Sequence, residues 1–155
     1  MSVANLASLT NQKLDTAKRL ILLSQANEEK WLNVGLESSA IFQLKSALNG
    51  LLREVSVSYS LSGSLDVNKL LVESESKQMM VPVLSELSDL LSRSDSWCYQ
   101  LNQAYLVQLE CRGSMALIEG DNLIGRGNDA GTSINFYLAK LVELVLRFRE
   151  ESSEY

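Results

Sequence analysis

The chain of 155 residues contains no histidine. This removes the commonest general base, the commonest metal ligand and the usual physiological pH switch. Ser-His-Asp and Cys-His catalysis are excluded, as are di-iron bundles built on Glu-x-x-His. Proline occurs once, at Pro82, and there are eight glycines. Five of these (Gly113, Gly120, Gly125, Gly127 and Gly131) fall between residues 113 and 131, so the rest of the chain is poor in helix breakers. The two cysteines, Cys98 and Cys111, make neither a disulfide framework nor a zinc pattern. A reduced, cytoplasmic setting is the expectation. Apolar runs such as Leu20–Leu23 are far shorter than the roughly 20 residues a membrane helix needs. Residues Met1 to Leu9 lack the basic start and apolar run of a signal peptide. Neither a membrane nor a nucleic acid is expected as a partner. The net charge is −5 with no Lys/Arg-rich block, so phosphate-backbone attraction has no footing.

What is present is leucine at helical spacing. Leu6, Leu9, Leu14, Ala17, Leu20 and Ile21 predict a first helix over about residues 3 to 25. Asp15 and Arg19 pair outside it at i, i+4. Asn27 is placed to cap a second helix over about 28 to 60, whose stripe is Ile41, Leu44, Leu48, Leu51, Leu52, Val55 and Tyr59. Trp31, Val34 and Ala40 extend its apolar surface toward the start. Such a helix spans roughly 48 Å, more than a compact domain of this length needs. It either bends or projects an end toward a partner, with Gly35 and Gly50 as sites of a bend or a close helix contact.

Asp66 caps a short helix to about Ser74, and Glu73 to Gln78 reads as loop or frayed helix. Pro82 opens a helix of about eleven residues through Leu91. Ser94–Ser96 cap another, with Trp97, Leu101, Ala104 and Tyr105 on one face, ending near Glu110. Thr132 or Ser133 caps the last, buried through Ile134, Tyr137, Leu138, Leu141, Val145 and Phe148, with Glu143 and Arg147 paired outside. The expected fold is all-α: one domain over 1–155, an antiparallel bundle of four main helices plus one or two short ones. A glycine-rich excursion at about 111–131 interrupts it, read as a small hairpin or an irregular loop.

Candidate chemistry is sparse. Gly125, Arg126 and Gly127, ahead of a helix, are the candidates for holding a phosphate or other anion on backbone N–H groups. No Gly-Lys-Ser/Thr follows them, and Asp129 adds negative charge. Glu37, Glu54, Glu86, Glu110 and Glu143 fall mostly on predicted outer faces, so no carboxylate metal site is expected. Trp31, Trp97, Tyr99 and Tyr105 lack interleaved basic residues and read as core or interface aromatics. Arg53 invites comparison with helical-bundle ribonucleases of bacterial toxin systems, in which a histidine closely follows an arginine. Here Glu54, Val55, Ser56, Val57, Ser58 and Tyr59 follow instead.

Two segments carry a family resemblance: Leu9-Thr10-Asn11-Gln12-Lys13-Leu14 with Ala17 and Leu20, and Ala47-Leu48-Asn49-Gly50-Leu51-Leu52-Arg53-Glu54-Val55. Over the first 60 residues the chain resembles a family of small, uncharacterised helical proteins from bacteria. The resemblance implies a cytoplasmic bacterial protein of unknown activity and brings no functional residues. The expected role is a non-catalytic interaction protein without cofactor or metal, self-associating as a homodimer or binding another protein. The alternative is a small-molecule or anion-binding module using 111–131.

Overall fold

The computed structural model describes residues 2–112 and 120–153, with backbone alone over 120–132. Among the described residues six helices follow in order: α1 (Val3–Ala26), α2 (Lys30–Ser58), α3 (Val67–Ser76), α4 (Pro82–Ser92), α5 (Trp97–Leu109) and α6 (Gly120–Ser153). No strand occurs among the described residues. The fold is all-α, as the leucine periodicity implies.

Side chains placed by sequence start most of these helices. The Ser2 hydroxyl accepts from the Asn5 N–H, and the Asp66 carboxylate from the Asn68 and Lys69 N–H groups. The Ser96 hydroxyl accepts from the Tyr99 N–H and donates to the Leu90 carbonyl, tying α5 to the end of α4. Each satisfies a backbone group that a helix end leaves unpaired. Pro82 stands in the first turn of α4, where its missing N–H is harmless. Asn27 acts differently from expectation. Glu29 is the N-cap residue of α2, and the Asn27 side chain accepts from the Glu29 N–H at 2.9 Å, fixing the turn before the helix.

That three-residue turn makes α1 and α2 an antiparallel pair with the most extensive contact in the bundle. At Gly50 they approach closely: a Cβ there would stand 2.5 Å from Thr10 Oγ1. Thr10 is buried, and its hydroxyl donates back to the Leu6 carbonyl at 3.1 Å. Gly35, by contrast, has nothing within 4 Å of a Cβ position and faces open space.

One apolar cluster draws on all six helices. Leu44, Leu48, Leu51, Leu52 and Val55 of α2 meet Ala17 and Ile21 of α1 and Leu70 of α3. Leu84 and Leu87 of α4, Leu101 of α5 and Leu141, Val145 and Phe148 of α6 complete it. The Leu9 side chain, expected to join it, is 40% exposed. Burying a leucine contributes about 1.5–3 kcal/mol, so this cluster supplies the main driving force of folding.

The last helix corrects an expectation. Thr132 and Ser133 do not cap it, because the backbone is already helical from Gly120. Residues 120–131 are therefore neither hairpin nor loop; residues 113–119 of the expected excursion lie outside the described residues. Glycine disfavours a helix by only about 1 kcal/mol per residue. Once the strongly periodic half from Ile134 has formed, each added residue gains a hydrogen bond without a new nucleus, and no proline stops it. At 34 residues α6 is the longest helix, about 51 Å.

Candidate functional site

The acids and bases expected on the surface sort differently in the structure. Glu54 is 1% exposed, which corrects its placement on an outer face. The Arg149 guanidinium grips its carboxylate two-pronged, Nε to Oε1 at 3.0 Å and Nη2 to Oε2 at 3.2 Å. Arg149 also donates to Asn11 Oδ1 at 2.8 Å and to the Ala7 carbonyl at 3.2 Å. One side chain thus fastens the end of α6 to both α1 and α2, and α6 runs antiparallel to α1. Both Glu54 oxygens are occupied, so this carboxylate is not free to act as a base. Two residues earlier, Arg147 makes a similar fork to Glu86 of α4 at 2.9 and 3.0 Å, here on the surface. The expected Glu143–Arg147 pair is therefore replaced: Glu143 lies 3.9 Å from Lys140 instead. The Asp15–Arg19 pair forms at 2.9 Å.

The remaining candidates stay apart. Cys98 is fully buried, and burial pushes its thiol up to about 11, which keeps it neutral and unreactive at physiological pH. Cys111 is exposed and unpaired. Trp97 is core, whereas Trp31 is 73% exposed, so no stacking platform gathers them. Phe42 of α2 packs against Tyr105 of α5, at 6.2 Å between ring centres. Lys45 lies 5.9 Å from the same Tyr105 ring, and its burial lowers its pKa. Glu37 is half-buried, which raises its own. Among the described residues no three His, Cys, Asp or Glu side chains converge on a common point. No helix there is long and apolar enough to cross a membrane.

Gly125, Arg126 and Gly127 lie beyond the first turn of α6. Only the first four N–H groups of a helix lack an internal partner. The backbone at these positions lies within the helix.

Two surfaces remain. The first is the N-terminal part of α2. No residue of that helix before Ala40 is buried. Trp31, Val34 and Phe42 are 73%, 61% and 53% exposed. With Gly35 and Ser38 they share one face at helical spacing. Leu109, four residues beyond Tyr105 on α5, is also exposed. The second is a cleft of about 380 Å³ where α2 ends, lined by Leu6, Arg53, Ser56, Val57, Ser60, Leu61, Ser62 and Gly63. Ser60 and Gly63 take positive φ values of 55° and 85°, which turn the chain back over the helix end. Lys77 donates to the Ser60 carbonyl at 2.9 Å, and the Ser62 N–H donates to Glu73 at 3.1 Å. The Ser62 hydroxyl and N–H hold the Glu73 carboxyl below its ordinary range.

These features define an all-helical bundle that, among its described residues, presents an exposed apolar helix face and an open cleft. The chain belongs to a family of unknown function (DUF6586), matched over residues 1–155. Membership thus spans the whole chain rather than its first 60 residues. Comparison with curated proteins and with solved structures returns no match.

Proposed function

We propose that this chain is a non-catalytic helical interaction protein that pairs with a second copy of itself through the first half of α2, in a cytoplasmic setting. The observation that carries this is the inversion of burial along that helix: Trp31 is 73% exposed while Glu54 is 1% exposed. Single exposed apolar residues are ordinary, but several on one face mark a contact surface.

The face is self-complementary. A two-fold pair requires each position to meet its own counterpart reciprocally. If two copies of α2 cross antiparallel between Gly35 and Ser38, Trp31 falls opposite Phe42 of the second copy. Gly35 lets the backbones approach closely, since nothing of its own chain covers it. Tryptophan is among the residue types that dominate interface energetics.

Light scattering coupled to gel filtration, on the full chain and on Trp31→Glu, tests the reading. The expected result is twice the chain mass for the parent and a single-chain mass for the variant, with helicity unchanged. A parent that stays monomeric at a concentration on the order of 100 μM, corresponding to association weaker than about −5.5 kcal/mol, overturns it.

A further inference from the structure

We infer that Glu29 is a positioning residue for Trp31: it fixes the indole and satisfies its N–H, so that the ring can enter a wholly apolar site on a second copy of this chain. The inference rests on the self-association reading for the occupant and adds the chemistry of the site. The Trp31 indole Nε1–H donates to Glu29 Oε2 at 2.8 Å. Residues two apart within a helix do not face each other. These two meet because Glu29 stands outside α2, with extended backbone at φ −78° and ψ 114°. The Asn27 side chain holds it there by accepting from the Glu29 N–H, and the Asn33 side-chain amide donates to the Asn27 carbonyl. Hydrogen bonds thus run from Asn33 through Asn27 and Glu29 to the Trp31 ring.

Glu29 occupies the N-cap position, yet its carboxylate caps no helix N–H. Trp31 is 73% exposed, so water alone would satisfy its N–H in the free chain. The bond between them therefore matters most in the associated state. A buried indole N–H needs an acceptor. The exposed apolar side chains of this face, Val34 and Phe42, offer none. An acceptor carried on the same chain removes that demand from the partner. The ring also arrives in one orientation, which lowers the ordering cost of association. The surface that Trp31 fits is thus apolar, with no polar atom required opposite the indole nitrogen.

Two measurements on the full chain test this, using Glu29→Ala, Glu29→Gln and Trp31→Phe. The first is tryptophan fluorescence anisotropy at concentrations low enough to hold single chains, where the difference from Trp31→Phe isolates Trp31 from the buried Trp97. The Trp31 anisotropy should fall in Glu29→Ala and hold in Glu29→Gln, whose side-chain carbonyl still accepts. The second is the dimer Kd by sedimentation equilibrium. Glu29→Ala should raise it about tenfold or more, because association then buries an unmatched N–H. Glu29→Gln, a neutral acceptor, should raise it about threefold. Combined with Trp31→Phe, which has no N–H to satisfy, Glu29→Ala should change it by less than about twofold. Equal losses in Glu29→Ala and Glu29→Gln, or a Glu29→Ala loss undiminished by Trp31→Phe, overturn the positioning role. Anisotropy unchanged in Glu29→Ala overturns it whatever the assembly. A parent that stays monomeric overturns the self-association reading and with it the apolar site on a second copy, while the anisotropy still decides whether Glu29 holds the ring.

Discussion

Replacing Arg149 by leucine should be among the most destabilising single changes outside the apolar core. The substitution leaves Glu54 at 1% exposure with both oxygens stripped of their donors. It also abandons the Ala7 carbonyl and the Asn11 side chain. Breaking a buried pair by removing one partner costs about 3–5 kcal/mol, because the stranded charge keeps its desolvation penalty. A domain of this kind has roughly 5–15 kcal/mol in total, and the midpoint of thermal unfolding should fall by about 6–20 °C. Glu54→Gln is milder, about 1–2 kcal/mol: the Arg149 side chain is 24% exposed, keeps Asn11 and Ala7, and can reach water. Making both positions leucine should recover most of the loss, since two apolar groups in place of a buried pair are often neutral. The neighbouring fork supplies the control. Arg147 and Glu86 are 45% and 38% exposed in their side chains, so Arg147→Leu should cost no more than about 1 kcal/mol. Urea unfolding followed by circular dichroism measures all four variants. An Arg149→Leu cost no larger than that of Arg147→Leu, or a double variant worse than either single, would refute the reasoning.

Gly50→Ala should destabilise by about 1–3 kcal/mol, because the new methyl meets Thr10 Oγ1 at 2.5 Å and overrides the helix-propensity gain. Adding Thr10→Ala should relieve part of that cost, and a strictly additive double variant in urea unfolding would argue against the contact. Cys98, raised by burial from 9.0 to about 11, is held neutral in the folded state. Its contribution is complete below pH 9 and is lost as pH rises from 9 to 11, by about 2–3 kcal/mol. Lys45 shifts downward and opposes this slope, so the measurement is the difference between parent and Cys98→Ala across that range; identical alkaline profiles would contradict it.

Much of the fold was legible because burial and helical period agree over most of the chain. Leu44, Leu48, Leu51 and Leu52, or Ile134, Leu141 and Val145, recur at the helical repeat and are buried at it. The misses share a cause: a local rule was outvoted by long-range packing. Glu54 was assigned to solvent by residue type. Helical spacing alone sets it three residues after Leu51 and seven after Ala47, inside the stripe, and a long basic side chain beside Phe148 was available to meet it. The fork itself joins residues 95 apart and leaves no sequence pattern. Arg147 had Glu143 at the favourable spacing, but two oxygens of Glu86 offered a better fit than one of Glu143. The glycines of 120–131 suggested an interruption, yet a weak preference at each residue does not stop a helix that a strong half extends. The cleft could not be read at all, because Leu6 joins it from another helix and the turn that closes it depends on the φ values of Ser60 and Gly63.

α2 is, in effect, two helices of opposite character on one rod. From Ala40 to Ser56 it is built for its own chain: leucines in the core, a glycine that admits Thr10, and a charge that takes a single partner. A buried carboxylate contributes little net stability, since apolar residues could replace the pair. What it does supply is a penalty for any arrangement of α1, α2 and α6 that leaves it unmatched, and so it fixes their register. From Lys30 to Ser39 no residue of the same helix is fully buried, and Trp31 and Val34 are exposed. Stability cannot explain that half, because an exposed tryptophan adds no folding energy that a lysine or glutamate would not. A rigidly registered inner half makes the outer half a stiff, well-placed surface rather than a fraying end. A stiff surface binds with less ordering cost than a flexible one. On the proposed reading the inner charge and the outer apolar face work together, with Glu54 holding the register of the helix that carries Trp31.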